Sequence, residues 1–367
     1  MMSSNISLYI HIPFCLKKCN YCAFYSIPDC GEDIKQSYTD ALIKQINAFN
    51  TSKTISSIYF GGGTPPVLGT DRLLAVFEKL KSKFNLDTNC EITVEANPMS
   101  VTLKDLKAMR KAGFNRLSMG MQSSDDKELA LLGRLYNKEQ YLEAVKISID
   151  AGFEKRSTDI IFAIPHQTKE SLEKSILTAI SSSTPHISIY SLSIEVGTPF
   201  YRIKDNLKLP DEDVEEEMYF LICDMMKKYG YKHYEISSFA HEEYESRHNL
   251  HYWDCGEYVG FGAAAHSYFG GKRFSNIADV NKYISLVDEN FYSPTDFNNQ
   301  PFISNEEKLE ELIMLGLRTS KGIKADKKMI LKSKRFIELG FVQINNGYLS
   351  LTESGYRISN TIIAELI

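Results

Sequence analysis

The chain reads as an α/β protein: a partial (β/α)6 barrel followed by a small winged-helix-like α+β domain. Three observations predict this. Short β-rich runs alternate with amphipathic helical stretches through the first half. Turn and breaker residues, among them Asp87, Thr88, Gly113, Gly152 and Pro185, punctuate the joins. The tail then changes character, ending in helical patterns around an Asn346-Gly347 pair set between alternating apolar residues, a strong hairpin signal.

Strand-like runs fall at 7–12, 56–60, 91–95, 116–121, 157–164 and 186–193, with helical patterns at 34–50, 71–84, 103–112, 138–151 and 169–182. Strands alternating with helices imply parallel pairing through right-handed crossovers. Six such units make an open barrel rather than a closed eight-fold one, with its chemistry at the C-terminal ends of the strands. An acidic helix at 211–229 leads to a further strand at 231–239 and a region rich in aromatic, His and Gly residues at 241–274. An irregular stretch through Pro294 and Pro301 follows. Helices at 306–319 and 325–339, a hairpin at 341–351 and a closing helix at 353–366 complete the tail. The expected divisions are the barrel (1–230), its extension (231–300) and the winged-helix-like domain (301–367). Winged helices often bind DNA, but this tail shows no marked basic face, and the run 324–335 reads as a solvated helix face. A structural or partner-docking role is expected.

The chain has 367 residues, 43% of them hydrophobic and 24% charged, an ordinary globular balance with room for one large barrel and a small domain. A net charge of -5 argues against broad nucleic-acid binding. There is no apolar run of membrane-spanning length and no signal-peptide core near the N-terminus, so a cytoplasmic location is expected.

The chemistry concentrates in Cys15, Cys19 and Cys22, spaced C-x3-C-x2-C directly after the first strand. Three thiolates this close suit three irons of a [4Fe–4S] cluster, which ordinarily takes four cysteines. Phe24 stands where a C-x-C extension would place the fourth, which leaves one iron open. Zinc is the alternative, but a structural zinc site wants four ligands, typically as two spaced pairs, and no second C-x2-C occurs. His11 is the nearest further ligand, though its apolar run points it into a sheet. The odd count of seven cysteines and the chain length argue against a disulfide scaffold. Cys30, Cys90, Cys223 and Cys255 stand alone.

Phe60-Gly61-Gly62-Gly63-Thr64-Pro65-Pro66 ends the second strand. It is no phosphate loop, because no Gly-Lys-Ser/Thr follows. Beside the cysteines it reads as a shelf of backbone groups fit for the ammonium of an amino acid, and otherwise as a tight turn. Glu95, Gln122, Arg134 and Asp159 fall at strand ends or just beyond. They are either hydrogen-bonded barrel residues or a site for a zwitterionic nucleoside, with a carboxylate for ribose hydroxyls and Arg for a carboxylate. Tyr21 would offer an aromatic edge to an adenine.

On these motifs the chain resembles the radical S-adenosylmethionine (SAM) superfamily. Leu8-Tyr-Ile-His-Ile-Pro-Phe-Cys15, Glu95-Ala-Asn-Pro98, Met119-Gly-Met-Gln122-Ser, Leu132-Gly-Arg134, Asp159-Ile-Ile-Phe-Ala-Ile-Pro165 and Gly260-x-Gly-Ala-x-Ala-His266-Ser narrow the likeness to its HemN/HemW group. The resemblance implies a radical SAM barrel whose cluster iron chelates SAM, with contacts at Tyr9, Gly62, Gly63, Thr64, Glu95, Gln122, Arg134 and Asp159. Within the group, one branch is an oxygen-independent coproporphyrinogen III oxidase that decarboxylates propionate side chains. Its members carry a further cysteine at the position of Phe24 and an N-terminal extension, whereas eight residues precede Tyr9 here. The other branch binds heme and passes it to an acceptor protein, soluble or membrane-associated, as a monomer or a cluster-linked dimer. Its marker is present as His248-Asn249-Leu-His-Tyr252-Trp253. Because His is a standard axial ligand of heme iron, His248 is the leading heme candidate and His251 and His266 are weaker ones. The chaperone branch is the expected function and the oxidase the alternative.

Overall fold

In the computed structural model, which describes residues 5–28, 30–288 and 300–367, the six expected strands are β1 (Asn5–Ile12), β2 (Thr54–Gly62), β3 (Leu86–Ala96), β4 (Arg116–Gln122), β5 (Lys155–Phe162) and β6 (His186–Ser191). They lie side by side in sequence order and pair in parallel throughout. The crossovers are α1 (Glu32–Ala48), α2 (Thr70–Lys83), α3 (Leu103–Ala112), α4 (Asp126–Leu132) with α5 (Lys138–Asp150), and α6 (Lys169–Ser181). Thr102 with Asp105, Asn137 with Gln140 and Thr168 with Ser171 form capping boxes that satisfy the first N–H groups of α3, α5 and α6.

The strands show why this is an open barrel with a hollow centre. Ile6, Leu8, Ile10, Ile58, Phe60, Ile92, Val94, Leu117, Met119, Ile187 and Ile189 turn one face toward the helices and are buried. Side chains alternate across a strand, so the other face carries Ser7, Tyr59, Thr93, Glu95, Arg116, Ser118, Ser157, Asp159, His186 and Ser188. The outer layer packs as an ordinary apolar core, while the inner layer is polar.

The segment 231–300 extends both edges of this sheet. The expected strand at 231–239 is two: β7 (Lys232–Glu235) and β8 (Ser238–Ala240) pair antiparallel around Ile236-Ser237, and β8 pairs antiparallel with β6. The aromatic region holds α8 (Arg247–Trp253), β9 (Tyr258–Phe261), β10 (His266–Phe269) and β11 (Lys272–Ser275). β9 joins the outer edge of β1 in parallel, and the order becomes β11-β10-β9-β1-β2-β3-β4-β5-β6-β8-β7. The acidic stretch forms α7 (Glu212–Lys228), and α9 (Val280–Asp288) lies against α1. Pro294, part of the expected irregular stretch, lies outside the described residues.

The tail builds its own core from Ile313, Leu317, Met329, Phe336, Val342, Leu349, Leu351, Ile362 and Leu366. Its elements are α10 (Asn305–Gly316), β12 (Ile323–Lys324), α11 (Lys327–Glu338), a hairpin of β13 (Val342–Asn345) and β14 (Tyr348–Leu351), α12 (Glu353–Arg357) and α13 (Ser359–Leu366). Asn346 and Gly347 turn the hairpin with φ of 52° and 80°, the left-handed pair that a two-residue loop requires. The expected closing helix breaks at Ile358. β12 pairs with β14, completing a three-stranded wing.

Candidate functional site: a polar cavity behind three cysteines

A cavity of about 600 Å³ runs down the barrel interior from the cysteine loop. Cys15, Cys19 and Cys22 line its opening together with Lys17, Lys18 and Phe24. Of the other expected site residues, Tyr21, Gly62, Gly63, Thr64, Glu95, Gln122, Arg134 and Asp159 all line the same space. Tyr9 does not. Its hydroxyl lies 3.1 Å from His11 Nδ1 and its ring stacks on Tyr59 with centroids 6.2 Å apart, so Tyr59 is the one that faces the cavity.

Local structure explains how the cysteine loop is held. Phe14 and Cys15 pair with Ile27 and Pro28 in a short parallel ladder. Gly63 N–H donates to Ile12 O and Thr64 N–H to Phe14 O, each at 2.8 Å, which ties the glycine loop beneath the first cysteine. A Cβ on Gly63 would sit 2.7 Å from Phe14 O and 3.0 Å from Cys15 Sγ, and one on Gly62 would stand 2.5 Å from the His11 ring. Gly63 is therefore needed for close backbone approach, and Gly62, at φ of 112°, for the space that the His11 ring fills. The expected shelf is narrower than it looked. The N–H groups of Gly62, Gly63 and Thr64 already donate to Glu95 Oε2, Ile12 O and Phe14 O.

A relay of polar contacts links the first cysteine to the one arginine in the upper cavity. Thr64 Oγ1 donates to Cys15 Sγ at 3.6 Å and accepts from Asn97 Nδ2 at 2.9 Å. Asn97 Oδ1 accepts from Arg134 Nη1 at 2.9 Å, and Arg134 Nη2 donates to the Tyr21 hydroxyl. Arg134 Nε is buried without a partner. The residue lines the cavity, where its charge suits an anionic ligand group. Arg134 stands just past the C-terminal cap of α4, a helix that sequence reading missed although Asp125 caps its start and Gly133, with φ of 80°, ends it.

Two carboxyls face this arginine's neighbourhood. Glu95 accepts from the Tyr59 hydroxyl at 2.6 Å, and burial holds its pKa above the usual carboxylate range. Burial, with the nearby Glu95, pushes Asp159 up to about 7, against the opposing pull of Arg134. Burial also raises the pKa of Cys15 and Cys22, so their thiolates favour a cationic ligand that compensates the charge. Gln122 sits at a register shift of β4 with φ of 65°, a left-handed conformation that is strained for any residue but glycine. Asn97, Tyr59 and Ser188 were missed as individual residues. The alternation of inward polar positions along β2 to β6 was the signal that marks them.

The opposite end of the barrel is closed. Arg116 is buried, pairs with Glu91 at 3.6 Å, and donates to Ser157 Oγ at 3.0 Å and Tyr244 O at 2.9 Å. His248 N–H donates to Glu91 Oε1 at 3.0 Å. The His248 ring is sealed in, with Nδ1 2.8 Å from Ser57 Oγ and Nε2 2.9 Å from the Tyr252 hydroxyl. Burial lowers its pKa to about 3. The leading heme candidate is thus part of the barrel floor, with both ring nitrogens engaged and no edge on the cavity. A heme iron reaches it only if one of those bonds breaks. His251 Nε2 is 2.7 Å from Glu257 O, while His266 is exposed at the start of β10.

The donor set fits a cluster. Three half-exposed thiols open onto one polar cavity, braced by Thr64 and two glycines that leave no room for a side chain. Among the described residues, no three His, Cys, Asp or Glu side chains gather around a single ion position, and a cluster that takes one thiolate per iron does not need them to.

Comparison with known proteins agrees. The chain matches the Radical SAM superfamily over residues 9–179 and the HemN C-terminal domain over residues 303–358. Fold and site define a radical SAM protein, a class built around a [4Fe–4S] cluster and SAM. The chain is 37% identical over 340 residues to "Heme chaperone HemW" of Bacillus subtilis (strain 168), covering 90% of this chain and 86% of that one. It is 35% identical to the protein of the same name from Lactococcus lactis subsp. lactis (strain IL1403), over 89% and 85% of the two chains. It belongs to the HemW family. The solved structure of Escherichia coli coproporphyrinogen III oxidase (HemN) shares the fold, with a TM-score of 0.84 over 98% of this chain and 89% of that one, at 21% identity.

Proposed function

We propose that this protein holds a [4Fe–4S] cluster on Cys15, Cys19 and Cys22, binds SAM beneath it, and carries heme to an acceptor protein in the cytoplasm. The relatives named as heme chaperones support the last part. The observation that carries the cofactor reading is the convergence of three thiols, the Arg134–Asn97–Thr64 relay and two carboxyls of raised pKa on one cavity. When bound, the cluster supplies an iron able to chelate the amino and carboxylate groups of SAM. Arg134, with its unpartnered Nε, orients the SAM carboxylate. Glu95 or Asp159 accepts the ribose hydroxyls, and Tyr21 stacks near the adenine.

Heme sits outside this chamber, on its rim. Phe24 is 72% exposed at the cavity opening, beside Lys17 and Lys18, with Leu16 at 56% exposure on the same loop. An exposed aromatic flanked by two cations suits a flat apolar macrocycle bearing two carboxylates. His248 supports the barrel floor rather than the iron. The test is a heme titration of three proteins: wild type, Lys17→Glu/Lys18→Glu, and His248→Ala. The reading expects the charge reversal to weaken binding roughly tenfold or more and His248→Ala to leave affinity unchanged. Loss of the Soret complex in His248→Ala alone, with folding intact, returns the heme to His248. Turnover of coproporphyrinogen III by cluster-loaded protein with SAM and reductant would favour the oxidase branch.

A further inference from the structure

The winged module carries a feature that the barrel's function leaves unused. The run 324–335 is a solvated helix face, as expected, and its placement gives the tail a basic surface that composition did not mark. Residues 321–338 hold seven basic and two acidic side chains, a local charge of +5 in a chain of -5. α11 turns Met329, Ser333 and Phe336 into the domain core. Its outer face carries Lys327, Lys328, Leu331, Lys334 and Arg335, all exposed.

Leu331 is 74% exposed. Helical spacing puts Lys327 and Lys328 one turn before it and Lys334 and Arg335 one turn after, so a bare leucine stands inside a ring of four cations. One further turn along the same row is Leu339, 56% exposed. Lys334 lies 3.9 Å from Glu338, and Lys332 donates to Leu366 O at 3.0 Å. Among the described residues Lys324, Lys327, Lys328 and Arg335 have no ion-pair partner.

We propose that this face of α11 docks on an anionic phospholipid surface. The cations meet lipid phosphates, and Leu331 enters the acyl boundary that a leucine prefers to water. Duplex nucleic acid fits less well, because the centre of the face would offer a leucine where a backbone presents phosphate and a groove presents polar edges. No helix among the described residues is long and apolar enough to cross a membrane, so the contact is peripheral and reversible. The inference does not rest on the heme reading.

The experiment is co-sedimentation of the full chain with vesicles of phosphatidylcholine alone, or of phosphatidylcholine and phosphatidylglycerol in equal parts. Wild type is expected to sediment with the anionic vesicles only and to be released by high salt. Lys327→Glu/Lys328→Glu/Arg335→Glu should lower the partition constant roughly a hundredfold, and Leu331→Ser several-fold at unchanged charge. Thermal unfolding of each variant checks that the module stays folded. Absence of wild-type binding, equal binding to neutral vesicles, or an unchanged triple variant overturns the proposal. So does a duplex DNA oligonucleotide that binds this face more tightly than the anionic vesicles and loses affinity in the triple variant.

Discussion

The two ends of the barrel are built from the same strands and have opposite characters. At the C-terminal ends of β1 to β5, glycines, a left-handed glutamine and half-exposed thiols surround open space. At the N-terminal ends, Arg116, Glu91, Ser57 and His248 lock together under the 244–249 segment, where Arg116, Ser246 and Asn249 form the base of the same cavity. The mouth leaves space for a ligand, whereas the floor pairs most of its polar groups with one another, with Glu91 Oε2 and His186 Nδ1 left without a hydrogen bond. The contrast shows that inward polar residues divide by what packs against them, not by type.

Mutations at the two ends should therefore fail in different ways. The largest effect is expected from Cys15→Ala, Cys19→Ala or Cys22→Ala, each abolishing the charge-transfer absorption of the reconstituted cluster while unfolding midpoints of the cluster-free chain hardly move. A melting loss of several degrees in the apoprotein would place these thiols in the scaffold instead. Next, Arg116→Ala leaves Glu91 as an uncompensated buried charge and should cost about 3–5 kcal/mol in urea unfolding, against little change in SAM affinity per folded molecule.

Smaller effects sharpen the same division. His248→Ala strands the Tyr252 hydroxyl and leaves Ser57 with Ser7 alone, and should cost about 2 kcal/mol. Its pH signature is separate. The folded imidazole, with pKa lowered to about 3, binds fewer protons than the unfolded one near 6.5. Its contribution is thus present above the unfolded value and lost as pH falls from about 6.5 toward 3, and His248→Gln should flatten that slope. Asp159 acts in the reverse direction. Its pKa is raised to about 7, so the folded chain binds more protons than the unfolded one between about 4 and 7, and the apoprotein loses stability as pH rises through that window. Asp159→Asn should remove this loss. A SAM-loaded sample whose stability still falls over the same range would show that the carboxyl does not face the ligand.

The mouth was far more legible in the sequence than the floor. Cys15 to Cys22 and Gly61 to Gly63 are local runs whose spacing carries their chemistry, and Glu95 and Gln122 fall at the ends of β3 and β4 that periodicity locates, whereas Asp159, expected at a strand end, lies in the middle of β5. The floor is assembled from residues distant in the chain: Arg116 meets Glu91 and Tyr244, and Ser57 meets His248. A motif can announce His248 without telling whether its nitrogens face solvent or a serine. The hairpin at Asn346-Gly347 was visible because its turn is local, while β12 was not, since two residues gain strand character only from their partner β14. The basic ring on α11 depended on knowing which helix face was covered.

The anchorage of the cysteine loop bears on the order of biosynthesis. Asn20, between the second and third cysteines, donates its N–H to Leu132 O at 3.0 Å and its side-chain amide to Leu131 O at 2.8 Å, and its carbonyl accepts from Phe200 N–H at 2.9 Å. The three cysteines are made well before residue 200, yet their native setting is complete only after residue 200 has been made. A nascent chain stalled before that point presents three thiols without their pocket.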